Sequence, residues 1–308
     1  MSTPSASPAH QPPTTQSLAW PEIAAIAAIA LIWGVNNAAS KVATDVLPPL
    51  LMGGLRFAIA GVFLVWFVRP PFPNLKSLAL LVLFGGPIHF GLVYLGFWMA
   101  QDLSPYSVAL QLWIPFTALF AFLLLGEHLS RLAIAGLLVA FAGVAFMTLD
   151  PHAVRDWAAI AVGIAASAAW ALTTVIARRT TKVAPLKMQG LLALVAAPSL
   201  LLGSWLFESA QGEAIAAATP LVWASVLWAA LVSTVVATGL LFWLVQRREA
   251  GRVTPYLLST PLITIAIGWA FMGDILTPQI LIGAALTMAG VGVVSLAERG
   301  LRAGAVRS

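Results

Sequence analysis

Ten stretches of roughly 20 mostly apolar residues follow one another along this chain, joined by short connections that hold nearly all of its charge. They fall at about residues 20–39, 49–68, 77–99, 105–125, 131–149, 156–177, 187–207, 221–246, 253–273 and 279–297. Each is long enough to cross a bilayer as a helix. A membrane barrel strand would instead alternate polar and apolar positions over about 10 residues, whereas these segments are apolar throughout. The chain therefore reads as an all-α integral membrane protein with ten transmembrane helices. Composition agrees, since 60% of the 308 residues are hydrophobic and 9% are charged, against roughly 25% charged in soluble domains.

Lysine and arginine give the orientation, because cytoplasmic loops carry them in excess. With the N-terminus inside, the inner connections hold Arg69, Lys76, Arg131, Arg178, Arg179, Lys182, Lys187, Arg247, Arg248, Arg252, Arg299, Arg302 and Arg307. The outer side holds only Lys41 and Arg155, and Arg56 falls inside the second span. Thirteen, two and one account for all 16 basic residues, so both termini are expected in the cytoplasm. The same bias explains a pI of about 10.1 without a nucleic-acid partner. Residues 1–17, rich in Pro, Ser and Thr, lack the basic and apolar regions of a cleaved signal peptide and read as a disordered tail. Cysteine is absent, which rules out disulfides and thiolate metal sites.

The chain repeats itself. GEHLSRLAIAGLLVAFAGV (126–144) aligns without a gap on GDILTPQILIGAALTMAGV (273–291). Upstream, the segment from Trp33 to Lys41 aligns with that from Trp170 to Arg178, and Pro115 has a counterpart in Pro261. Residues 18–150 and 151–298 thus form two five-helix halves, with a basic tail at 299–308. Five is odd, so the second half enters the membrane the other way up. Inverted repeats are a mark of secondary transporters, whose substrate sites lie near the midplane between the halves. Gly136 and Gly143 with Gly283 and Gly290 suit close helix packing in lipid. Glu127 and Asp274, each after a glycine, read as caps for the helix that follows.

LIWGVNNAASK (31–41), PPLLMGGLRFAIAG (48–61), PFTALFAFLLLGEHLS (115–130) and the second-half GDILT…G…AGV together resemble paired EamA domains of the drug/metabolite transporter superfamily. The resemblance covers residues 20–297. It implies a ten-helix exporter of small metabolites in the bacterial inner membrane. Members include exporters of cysteine and O-acetylserine, of threonine and homoserine, and of aromatic amino acids. Asp274 departs from the glutamate usual in the family at that position.

Polar groups within spans are costly and are functional candidates by default. All 11 carboxylates fall at span ends or in loops. A membrane enzyme that gathers metal on carboxylates is thereby disfavoured, and neither metal nor cofactor is expected. The first helix offers Trp33 and Asn37, the third His89, Tyr94 and Trp98, and the fourth Ser107 and Gln111 on one stripe, with Trp113 pointing away from it. The sixth offers Trp170 and Thr174, the eighth Thr238 and the ninth Tyr256. Taken singly, each hydroxyl is expected to bond the carbonyl one turn back. Together they describe a cavity of amides, hydroxyls and aromatic faces with almost no charge. Arg56 is the lone exception, unless it sits at the outer interface.

That chemistry suits a zwitterion with an apolar side chain, so broad export of neutral amino acids, aromatic ones included, is the favoured function, by alternating access between the halves. Efflux of drugs or other metabolites on the same fold is the alternative, and a membrane-embedded transferase a weaker one. The expected partners are a small-molecule substrate and the lipid bilayer; the choice between monomer and homodimer stays open.

Overall fold

A computed structural model describes residues 19–72, 74–179, 184–247 and 254–305. Among them the chain is helical with no strand, and nine helices are long and apolar enough to span a membrane. In order these are α1 (Trp20–Thr44), α2 (Pro49–Phe67), α3 (Leu75–Met99), α4 (Leu103–Leu125), α5 (Arg131–Thr148), α6 (Ala153–Arg178), α7 (Pro185–Phe207), α8 (Pro220–Leu241) and, last, α10 (Pro278–Ala297). Between the last two lies α9 (Leu257–Met272), apolar but shorter. The N-terminal tail lies outside the described residues. At the other end the helix of α10 runs on to Ala305, through residues that read as a tail in the sequence.

The most extensive packing pairs helices that correspond between the halves: α5 runs along α10, and α2 along α7. This is the arrangement a pseudo-two-fold axis requires. The small residues of the repeat make the α5–α10 crossing possible. A Cβ added at Gly290 would come within 2.4 Å of the Ala140 backbone nitrogen, and one at Gly143 within 2.5 Å of the Thr287 nitrogen.

Corresponding helices are also irregular in corresponding ways. α3 widens into a π turn at Phe84–Ile88, around Pro87, and α8 does so over Trp228–Ala237. Proline brings no N–H to the ladder, and π turns recur at functional sites. α4 is interrupted at Gln111 and Leu112, just before Pro115, and α9 changes from a 3-10 turn to α-helix at Thr260, just before Pro261.

The G-[ED] motif resolves into two separate roles. Gly126 and Gly273 end α4 and α9 with positive φ, 69° and 81°, where a glycine avoids the Cβ penalty. The acidic residue does not cap the following helix as expected. Ser130 and Thr277 do so, accepting from the amides of Ala133 at 3.1 Å and Ile280 at 3.2 Å. Asp274 instead reaches across to α4, where it accepts from the amides of Leu103 at 3.0 Å and Ser104 at 2.7 Å. Glu127 faces Arg178 at 3.3 Å.

Asp274 has company. Asp156 accepts from the amides of Gln101 at 2.7 Å and Asp102 at 2.9 Å, and Glu208 from those of Leu50 at 2.7 Å and Leu51 at 3.1 Å. Each fork joins a carboxylate of the second half to backbone of the first, at the same end of the bundle. These three acidic side chains therefore serve as connectors between helices.

Candidate functional site

A cavity of about 240 Å³ opens between the two halves. Four helices of the first half line it, through Trp33, Asn36 and Asn37 (α1), Arg56 (α2), His89 and Phe90 (α3), and Ser107, Gln111 and Trp113 (α4). Their counterparts line it from the second half, through Trp170 (α6), Gln189 (α7), Ser233, Thr234 and Thr238 (α8), and Thr260 (α9). The tightly packed α5 and α10 supply no lining residue.

Arg56 dominates its electrostatics. It lies seven residues into α2, about 10 Å along the axis from that helix's first turn, and is 6% exposed. It is thus a cavity residue and not an interfacial one. Its Nε donates to Thr234 Oγ1 at 3.0 Å and its Nη1 to the Tyr94 hydroxyl at 2.7 Å. The guanidinium carbon sits 5.1 Å from the Phe90 ring centre and 5.5 Å from that of Phe57, within cation–π range. Thr234 is itself fixed, since its hydroxyl donates to the Ala229 carbonyl at 2.8 Å within the π segment of α8. Among the described residues no carboxylate pairs with Arg56.

His89 follows the π turn of α3. Its Nδ1 donates to the Ala166 carbonyl at 2.8 Å, since a carbonyl only accepts. This fixes the ring, which lies 4.9 Å from Trp170 and 4.6 Å from Phe90, centre to centre. Asn37 Nδ2 donates to Thr264 Oγ1 of α9 at 3.1 Å. Its neighbour differs: Asn36 Oδ1 is buried with no hydrogen-bond partner, as are Gln189 Oε1 and Thr260 Oγ1. Buried polar atoms are nearly always bonded; these three sit on cavity-lining residues, and Ser40 Oγ and Ser204 Oγ away from the cavity also lack a partner among the described residues.

The structure brings together Trp33, Asn37, His89, Gln111, Trp170 and Thr238 of the residues expected from sequence. Tyr94 stands behind Arg56, fully buried. Thr174 donates to the Trp170 carbonyl of its own helix at 2.9 Å and does not line the cavity. Trp98 is 55% exposed and lines a different hollow, of about 760 Å³, at the acidic end beside Glu208 and Glu213. That hollow lies on the bundle's end, and Glu208 in its lining is occupied by the Leu50 and Leu51 amides. Tyr256, by its side chain, lies outside the described residues.

Sequence reasoning missed Asn36, Gln189 and Trp113, and left Arg56 undecided. Trp113 was expected to point away from the Ser107–Gln111 stripe, on the assumption of a continuous helix. The break at Gln111 and Leu112 resets the helical phase and turns Trp113 into the cavity. A charge inside an apolar span was the signal that could have settled Arg56.

The profile of the EamA-like transporter family matches residues 20–149 and 157–296. The chain belongs to this family. It is thus a multi-pass membrane transporter and not an enzyme, and the EamA pair coincides with the two halves that enclose the cavity. Among curated EamA relatives, a protein of Salmonella typhimurium called a probable amino-acid metabolite efflux pump is 29% identical over 278 residues, covering 85% of this chain and 91% of its own. The uncharacterized transporter YvbV of Bacillus subtilis is 28% identical over 296 residues, covering 91% and 93%. An Escherichia coli protein, also called a probable amino-acid metabolite efflux pump, is 26% identical over 277 residues, covering 85% and 91%. A protein of known crystal structure superposes with a TM-score of 0.60 at 19% identity, over 91% of this chain and 98% of that one, a likeness of fold alone.

Proposed function

We propose that this EamA protein exports small metabolites, amino acids foremost, by alternating access between its two inverted halves. The observation that carries this reading is the polar cavity itself, enclosed in an apolar bundle and lined by the same four helices of each half. Corresponding π turns and helix breaks supply the places where each half could bend in the other's manner. The cavity, about 240 Å³, is smaller than the roughly 300–1,000 Å³ typical of drug-sized sites, which suits a compact metabolite. Two relatives called amino-acid metabolite efflux pumps support the same substrate class. The basic connections would face the cytoplasm, with both termini.

Efflux of hydrophobic cations is the reading this cavity favours less. Among the described lining residues there is no carboxylate to meet a cation, and the one ionised group is itself a cation. The test is flux from proteoliposomes loaded with a panel of amino acids or with cationic dyes. Saturable amino-acid efflux is expected. Dye efflux with no amino-acid flux would overturn the proposal.

A further inference from the structure

We propose that Arg56 is the anchor for a carboxylate on the substrate, that Tyr94 and Thr234 are its positioning residues, and that a free carboxylate is therefore required for binding while a free ammonium is not. For its meaning in the cell this rests on the transport reading above.

A guanidinium in an apolar bundle is expensive unless its charge is met. Here three ring-flanked or hydroxyl-bearing neighbours orient it without neutralising it: Tyr94 and Thr234 accept from Nη1 and Nε, and Phe90 covers a face. Both acceptors are neutral. Nη2 has no partner among the described residues, and Arg56 lines the cavity. Arginine is a permanent cation whose planar fork matches a carboxylate, so a carboxylate is the natural occupant.

The other end of an amino acid meets different chemistry. An ammonium would find the neutral side-chain oxygens of the lining residues Asn36, Gln189 and Thr260, with aromatic faces nearby, and no negative charge among the described lining residues. Those neutral oxygens bond an ammonium or an amide N–H alike. The site therefore discriminates strongly at the carboxylate and weakly at the nitrogen.

The repeat makes the asymmetry a property of this site and not of the fold. PLLMGG (49–54) of α2 corresponds to PLKMQG (185–190) of α7. In that register Arg56 aligns with Leu192, and Gln189 with Gly53. Each half thus contributes a polar group that its counterpart lacks, and only the first contributes charge.

The experiment measures thermal unfolding of the purified full chain in detergent with leucine, N-acetylleucine, leucinamide or inorganic phosphate, together with flux in proteoliposomes. Leucine and N-acetylleucine are expected to raise the melting temperature, while leucinamide does not. Arg56→Gln should weaken carboxylate binding about 10- to 100-fold, with partial recovery in Arg56→Lys. Tyr94→Phe should raise KM for carboxylates at nearly unchanged maximal flux and lower the leucine-to-leucinamide preference. A merely structural tyrosine would leave that preference alone. The proposal is overturned if leucinamide protects as well as leucine, if phosphate protects better than either carboxylate, if nothing protects, or if Arg56→Gln retains full affinity. Should Arg56→Gln fail to fold, the ligand series on the unaltered chain decides alone. Amino-acid flux without carboxylate preference would sink this inference and spare the transport reading; carboxylate-dependent protection without flux would do the reverse.

Discussion

Asp274, just past the end of α9, holds the amide of Ser104 at 2.7 Å and so closes the first turn of α4, a helix of the other half. The Ser104 hydroxyl donates to the same carboxylate, and Leu103 completes the set at 3.0 Å. A carboxylate at a helix start satisfies orphan amides and meets the positive end of the helix dipole. Asp274→Ala should therefore lower stability by about 1–2 kcal/mol, the range for a lost cap. It should also loosen this end of the bundle. The chain has no cysteine, so a single Leu103→Cys reporter has no background. Faster modification by a membrane-impermeant thiol reagent in the Asp274→Ala background is the expected result, and an unchanged rate would refute the seal.

Asp102 sits among these forks with a single backbone amide, that of Ile275, to accept from. Burial, then the charges of Asp274 and Asp156, raise its carboxyl above the usual range. A carboxyl with a raised folded-state pKa favours folding only while protonated, and its contribution turns unfavourable as pH climbs through the ordinary carboxylate value. Asp102→Asn should then raise the melting temperature at neutral pH, with the gain shrinking on acidification. A loss of stability at neutral pH would contradict this account.

Helix caps separate the two copies of the G-[ED]-x-L-[ST] motif. Ser130 accepts one amide, while Thr277 accepts one and also donates to Asp150 Oδ2 at 2.6 Å. Ser130→Ala should cost about 1 kcal/mol. Thr277→Ala should cost more, because it also strips a hydrogen bond from a buried carboxylate. Detergent melts of the two variants measure the difference directly.

Span number, the repeat and its inversion were legible because the bilayer forces apolar length, and an odd count forces the flip. The paired glycines were legible for a similar reason, since only small residues allow such an approach. The cavity lining was legible at Trp33, Asn37 and Trp170, where polar or aromatic residues stand out in an apolar run at regular helical spacing. It was illegible where helices stop being regular. Trp113 turns inward because α4 breaks ahead of it. Thr174 satisfies its own helix, a local choice that spacing does not reveal. Asp274 crosses to α4, which no local rule of capping anticipates.

The α5–α10 crossing gives the sharpest contrast between glycines. A Cβ at Gly143 would meet the Thr287 nitrogen at 2.5 Å and the Gly283 oxygen at 2.7 Å, both backbone atoms of a neighbouring helix that cannot yield as a flexible side chain would. Overpacking of this kind costs typically 1–3 kcal/mol, so Gly143→Ala should destabilise by about that much. Gly212, in the short helix Gln211–Ala217, has nothing within 4 Å of its added Cβ. There alanine relieves the helix-propensity penalty of glycine, and Gly212→Ala should be neutral or stabilise by up to about 1 kcal/mol. In the proposed alternating access the halves move about the pairs they share, so Gly143→Ala should also reduce maximal flux while leaving KM near that of the unaltered chain, as α5 lines no part of the cavity. A changed KM at normal flux would mean that this crossing shapes the binding site.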